Sequence, residues 1–252
     1  MKKSFLNSDK SILTLMVQAD NPERTKSLMD KGLSQGAEAF GMQLEKFFPE
    51  YKNKEIYKEL FSYTDKPVYV TNYRNWKNEG KSDDILAEEM LEIAGCGPTL
   101  CDVMGDLFDK QDDEVARDEE AIKKQMEYIE KLHEKGAEVL MSSHTYKFVP
   151  AERVLEMALE HQRRGADISK IVTGADDTAQ EIENLRIINL LKEKLEIPFL
   201  FISSGASYRV LRRIGGEFGN CMTLCVCEYD NYATVAQPLL TQVKAIRENM
   251  GE

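Results

Sequence analysis

VLMSSHTYKFVPAERVLEMALEHQRRGADISKIVT, residues 139 to 173, is the stretch on which the fold of this chain turns. It opens on a short apolar run at 139–143 that alternates at its end and stops at His144. A helix follows Pro150, a residue suited to a first helical turn because it lacks the amide donor that would go unpaired there. Val154, Leu155, Ala158 and Leu159 recur at three- and four-residue spacing, which predicts one buried helical face. Gly165 ends that helix, and Lys170 opens a second apolar run at 170–173. Strand, helix and strand in this order make a βαβ unit, so the two strands are expected to be parallel neighbours. In such a pair His144 and Lys170 can face one cavity.

The same alternation runs along the whole chain. Strands are predicted at 12–17, 39–44, 68–72, 99–103, 139–143, 170–173, 199–203 and 223–227. Between them, helices are predicted at 22–35, 54–61, 83–94, 113–135, 151–164, 178–195, 207–214 and 237–249. Eight repeats of strand and helix predict an α/β fold, a single (β/α)8 TIM barrel over residues 1–252. An open doubly wound sheet is the runner-up, but its Gly-x-Gly-x-x-Gly phosphate loop after a first strand is missing. No composition shift or Pro/Ser-rich linker divides the chain. In a barrel, chemistry collects at the carboxyl ends of the strands. His144 ends its strand, whereas Lys170 begins one, so its long stem has to rise through the barrel toward the mouth. Period-two alternation puts Lys170 with Val172 on one face, and Leu140, Ser142 and His144 on another.

A lysine walled by apolar groups loses its proton more readily, because burial disfavours the charged form. The neutral amine attacks a ketone to form a Schiff base. The iminium draws electrons from the neighbouring C–H, and a base such as histidine removes that proton. The ordinary alternatives are a solvated lysine at a strand end and a histidine satisfied within the structure.

Composition narrows the partners. The hydrophobic content of 42% is that of a globular chain, and no apolar run reaches the length of a membrane span. The start, MKKSFLNSDKS, is basic but lacks the apolar segment of a signal peptide. A formal charge of −11 argues against nucleic acid, while local arginines leave room for a small carboxylate substrate. Five cysteines, at 96, 101, 221, 225 and 227, show no CxxC pair and no zinc spacing. Reduced thiols in a cytoplasmic protein are expected, with neither metal nor membrane.

His144, Pro150, Gly-Ala-Asp-Ile-Ser-Lys-Ile at 165–171 and Arg-Arg-Ile-Gly-Gly-Glu-Phe-Gly-Asn at 212–220 together resemble the type I 3-dehydroquinate dehydratase family. The resemblance spans the chain and is dense from about residue 136 onward. It implies a Schiff-base lyase of the shikimate pathway of aromatic amino acid biosynthesis, one that converts 3-dehydroquinate to 3-dehydroshikimate with no cofactor. It places the Schiff base on Lys170 and general acid/base work on His144. Arg213 becomes a carboxylate clamp and Gln237 a contact to substrate hydroxyls. The stretch TNYRNWKNEG puts Arg74 on substrate and Glu79 beside the histidine, with the spacing one residue off the family's. Family members often pair as homodimers, although no stripe here identifies an interface.

The departures matter equally. The family's second-strand Glu-Trp-Arg-x-Asp is replaced by Gly41-Met42-Gln43-Leu44-Glu45, so the Glu and Arg that grip substrate are gone. The seventh strand reads FISSGAS in place of a Met-Ser-Met-Ser run, Thr145 follows the histidine where Asp is usual, and Ala233-Thr234 stand near the usual loop serine. Two rivals therefore stay open: a class I aldolase-like retro-aldol lyase acting on another substrate, and a non-catalytic paralogue that binds a small carboxylate.

Overall fold

Short runs rich in Val, Ile, Leu, Met and Phe form the strands, as expected of residues that pack on a pleated, buried surface. They are β1 (Ile12–Val17), β2 (Ala39–Gln43), β3 (Val68–Thr71), β4 (Leu100–Met104), β5 (Glu138–His144), β6 (Ile168–Gly174), β7 (Phe199–Ser204) and β8 (Met222–Cys225). The computed structural model describes residues 4–251; Met1, Lys2 and Lys3 of the basic start, and Glu252, lie outside the described residues. All strand pairs are parallel, in the order β7-β6-β5-β4-β3-β2-β1-β8. Around them lie α1 (Pro22–Gln35), α2 (Lys54–Ser62), α3 (Asp83–Ala94), α4 (Glu119–Glu134), α5 (Ala151–Arg163), α6 (Thr178–Lys194), α7 (Arg209–Phe218) and α8 (Leu240–Met250). This is the (β/α)8 barrel.

The ring closes between β7 and β8 partly through a side chain. The Cys221 amide donates to the Phe199 carbonyl at 2.9 Å. Beyond it the Asn220 carboxamide replaces a strand, accepting from the Phe201 amide at 2.7 Å and donating to the Phe201 carbonyl at 2.9 Å. Gly215 makes that possible, since a Cβ there would lie 2.6 Å from Asn220 Nδ2. Part of the 212–220 motif thus builds the barrel seam. At the opposite, amino-terminal end, Phe5 enters the barrel interior with Ile12, Leu100, Leu140, Ile168, Leu200 and Met222. Its amide donates to Glu138 Oε2 at 3.0 Å.

Three sequence expectations shift, two of them in the deciding stretch. The sixth strand begins at Ile168, so Lys170 sits within β6, opposite Ser142 of β5, and does not open it. Its side chain needs no climb to the mouth. On α5 the buried face is Ala151, Val154, Met157, Ala158 and His161, while Leu159 is exposed. The face is rotated because the helix packs a histidine inward. The predicted helix at 113–135 starts only at Glu119: Asp118 caps it by accepting from the Ala121 amide, and residues 113–117 belong to a loop over the mouth.

Candidate active site

The carboxyl ends of the strands surround a cavity of about 780 Å³, lined among others by Lys170, His144, Arg212, Gln237, Tyr73 and Lys46. Lys170 and His144 therefore open onto one space. Alternation of β6 sends Lys170 and Val172 inward, as period two requires.

The walls around Lys170 are polar, where the sequence suggested apolar ones. Its Nζ donates to Tyr73 Oη at 2.7 Å and Tyr69 Oη at 3.1 Å, and lies 3.3 Å from Asp102 Oδ2. Both phenols donate to that same oxygen, and the Ser142 hydroxyl donates to Asp102 Oδ1 at 2.5 Å. Asp102 is thus a buried carboxylate with three hydroxyl donors and one amine. Burial first, and then the neighbouring Asp102 charge, push both phenols well above their usual range, so they serve as hydroxyls. Breaking a buried pair of this kind by removing one partner costs about 3–5 kcal/mol, which holds the cage together.

His144 is oriented by Glu114. Its Nδ1 and its backbone amide both meet Glu114 Oε2 at 2.8 Å. The proton on Nδ1 faces the carboxylate, which leaves Nε2 for the cavity. The ring lies edge-on to Tyr73 at 5.4 Å and stacks on Tyr146 at 5.9 Å. Glu79 is exposed and does not line the cavity, so the expectation of a Glu79–His144 pair is corrected. The carboxylate comes instead from Glu114 in the loop after β4. Behind the pair, Ser143 Oγ donates to the Glu114 carbonyl at 2.6 Å and lies 3.0 Å from His161 Nε2. Burial, and then Arg164, push His161 down to about 3, so it stands neutral.

Glu114, Trp76 and Tyr146 all line the cavity with positive φ (51°, 54° and 54°). Left-handed backbone costs such residues of order 1–3 kcal/mol and collects at sites where geometry is enforced.

The anion-binding groups also differ from expectation. Arg213 points outward, with its guanidinium on the Arg209 carbonyl. One position earlier on α7, about 100° around the helix, Arg212 lines the cavity instead. It is buried, its Nε donates to the Ser203 carbonyl, and among the described residues no carboxylate pairs with it. Burial lowers it to about 10, so it keeps its charge at neutral pH. Arg74 lines the cavity but is clamped: Nε and Nη2 hold Asp83 at 2.7 Å, and Nη1 holds Asp106 at 2.6 Å. Most of its donors tie the β3 and β4 loops together, which leaves little for a substrate. Gln237 is buried at the cavity with its Oε1 unpaired. Lys46, buried just after β2, donates to the Tyr232 carbonyl at 2.7 Å and sits 4.4 Å over the Trp76 ring.

The loss of the second-strand Glu has a steric counterpart. A Cβ on Gly41 would lie 2.2 Å from Met16 Sδ and 3.1 Å from Tyr69 Cδ1. Met16 and Tyr69 fill the space a side chain there would need. Gln43 stays at the cavity and accepts from Gln18 Nε2 at 2.7 Å, and Gln18 also reaches Thr234.

Sequence reasoning missed Asp102, Tyr69, Tyr73, Glu114, Arg212 and Lys46. Asp102 carried one usable signal, an acid in the middle of an otherwise apolar strand, Leu100–Met104.

Fold and site together define a class: a (β/α)8 barrel whose mouth holds a buried lysine and a carboxylate-anchored imidazole. The chain belongs to the type I 3-dehydroquinase family, whose model matches residues 14–251. It is similar to the 3-dehydroquinate dehydratase of Alkaliphilus oremlandii, 32% identical over 102 residues, 40% of each chain. To that of Clostridium kluyveri it is 31% identical over 164 residues, 62% of this chain and 59% of the relative. The matched stretch thus spans from two fifths to three fifths of these relatives' length. In structure it resembles type I 3-dehydroquinate dehydratase from Clostridium difficile with covalently modified comenic acid, at TM-score 0.80 and 18% identity, covering 99% and 98% of the two chains.

Among the described residues no helix is long and apolar enough to cross a membrane.

Proposed function

We propose that this chain is a hydro-lyase that dehydrates 3-dehydroquinate to 3-dehydroshikimate through a Schiff base on Lys170. The observation that carries this reading is the shared cavity: Tyr73 touches Lys170 Nζ and packs its ring against His144, so amine and imidazole serve one bound molecule. Family membership points the same way. Lys170 attacks the ring ketone, water leaves, and the protonated imine makes the neighbouring C–H acidic. His144 Nε2 takes that proton and returns it to the β-hydroxyl, which departs as water. Hydrolysis of the imine frees the lysine.

Arg212 takes the substrate carboxylate, the part first given to Arg213, with Lys46 as a second cation where the second-strand Arg is absent. Gln237 offers its unpaired Oε1 to a hydroxyl. A cytoplasmic setting, with the cysteines unpaired, belongs to the same reading. So does a homodimer.

Borohydride added during turnover of dehydroquinate should fix ligand mass on the peptide that contains Lys170, and enone absorbance should report product. Mass on another lysine removes the assignment. A trapped adduct with no enone returns the retro-aldol reading.

A further inference from the structure

Two buried groups at the carboxyl end of α5 take no part in the chemistry at the cavity, yet both are aimed at the loop that carries Glu114. Arg164 caps α5 and is buried. Its Nη1 donates to the Gly105 carbonyl at 3.0 Å and its Nη2 to the Ala116 carbonyl at 2.8 Å. These two carbonyls bracket the loop: Gly105 follows β4, and Ala116 lies two residues past Glu114. The Ala116 amide closes the bracket by donating to the Gly105 carbonyl at 3.0 Å. Gln125 of α4 accepts from Nη1 at 3.0 Å, and Glu160 Oε2 lies 3.2 Å from Nη2. Burying a guanidinium is costly unless its donors are used, and here two of them are used on the loop backbone. His161, three residues earlier, holds the middle of the same loop. Its Nε2 lies 3.0 Å from Ser143 Oγ and its Nδ1 3.0 Å from Ser169 Oγ. Ser143 spends its one hydroxyl proton on the Glu114 carbonyl at 2.6 Å, so the histidine donates to Ser143 from Nε2 and accepts from Ser169 at Nδ1. Donors thus run in one direction from Ser169 to Glu114. Gly105 leaves the room for this, since a Cβ there would lie 2.5 Å from the Glu114 carbonyl oxygen and 2.6 Å from Ser143 Oγ.

We propose that His161 and Arg164 are positioning residues for the catalytic imidazole: they fix the loop backbone at Glu114, and Glu114 fixes His144. This rests on the reading of His144 as the acid–base group. Glu114 needs such anchoring, because its φ of 51° is a conformation that glutamate rarely adopts. Released at its own carbonyl and at Ala116, it would relax and carry Oε2 away from the His144 amide and Nδ1, both now 2.8 Å from it. The helix that follows the His144 strand therefore orients that strand's own histidine, by way of a loop from the strand before. Neither His161 nor Arg164 lines the cavity, so the contacts that bind substrate are not theirs.

Arg164→Lys keeps a buried cation but loses the planar fork that spans both carbonyls, and Ser143→Ala cuts the path from His161. Each should lower kcat for dehydroquinate about tenfold, with KM within about threefold, since misplacing a catalytic group by about 1 Å costs up to about 10²-fold. In a Glu114→Ala background the loop has no carboxylate to place, so the same two changes should move kcat less than about twofold. A purely structural role would instead give the same fold-loss in both backgrounds. That result, or parental kcat in both single variants, overturns the proposal. Ser143→Ala removes one oxygen and stands in if Arg164→Lys does not fold. Ring ¹⁵N spectra give a second readout, because the chain has 3 histidines. His144 should carry its proton on Nδ1 in the parent and lose that preference in each folded variant; an unchanged tautomer in both also overturns the proposal. Parental kcat in His144→Ala removes the acid–base reading instead, and a parent that turns over no dehydroquinate removes the substrate assignment. In either case the ring spectra still decide whether α5 positions the imidazole.

Discussion

Replacing Glu114 by Gln separates the observed histidine partner from the expected one. Glu114 Oε2 accepts from both the backbone amide and Nδ1 of His144 at 2.8 Å. Glutamine keeps the shape and can still accept, but the charge is lost. A hydrogen bond to a charged group contributes about 1.5–3 kcal/mol, and His144 gains positive charge only as it takes the substrate proton. The loss therefore falls on the transition state. At about 1.4 kcal/mol per factor of ten, kcat should drop between about 10-fold and 150-fold. KM should move by less than about threefold, since ground-state contacts are untouched. The assay is steady-state turnover of dehydroquinate, with Glu79→Gln as control. Glu79 is exposed and off the cavity, so its variant should stay within about twofold, as surface changes usually do. Parental kcat in Glu114→Gln, or a larger loss in Glu79→Gln, would refute the assignment of Glu114 as the group that orients the imidazole.

Arg212→Leu should raise KM about tenfold or more, because a buried guanidinium is lost from the proposed carboxylate contact, while Arg213→Leu should leave steady-state kinetics nearly unchanged. Gly41→Ala pushes a methyl to 2.2 Å from Met16 Sδ and should cost about 1–3 kcal/mol in urea unfolding, partly recovered by adding Met16→Ala. An unchanged midpoint would mean that Met16 simply swings away. His161, neutral and lowered to about 3, makes folding pH-dependent with a definite sign. Its folded-state value lies below the unfolded one of about 6.5, so its contribution is complete above 6.5 and declines as pH falls toward 3. Unfolding free energy should fall about 1.4 kcal/mol per pH unit in that window relative to His161→Asn; parallel pH curves for the two proteins would contradict this.

Much of the site was legible for a simple reason. Lys170 and His144 lie on strands whose direction period-two alternation determines, and Gln237 follows the last strand, where barrel loops converge. The partners were harder because each depends on something local alternation does not carry. Glu114 reaches His144 only because residues 113–117 leave the helical path and Glu114 adopts φ 51°. Arg212 and Arg213 are adjacent in the chain but about 100° apart on α7, and the packing of that helix selects which one faces inward. Tyr69, Tyr73 and Asp102 meet Lys170 across three strands' worth of sheet, a contact with no trace in any one segment.

The repeating strand–helix pattern by itself determined a parallel sheet covered by helices, because each apolar run can be buried only by a parallel neighbour and a covering helix, and the missing phosphate loop favoured the barrel over an open sheet. It also determined that an amine and an imidazole come from neighbouring strands. Only the tertiary structure decided what surrounds them. Which loop supplies the carboxylate, which arginine turns inward, and whether the lysine meets apolar or hydroxylated walls depend on contacts between residues far apart in sequence. Those contacts are set by how the whole ring closes, down to Asn220 standing in for a strand at the β7–β8 seam.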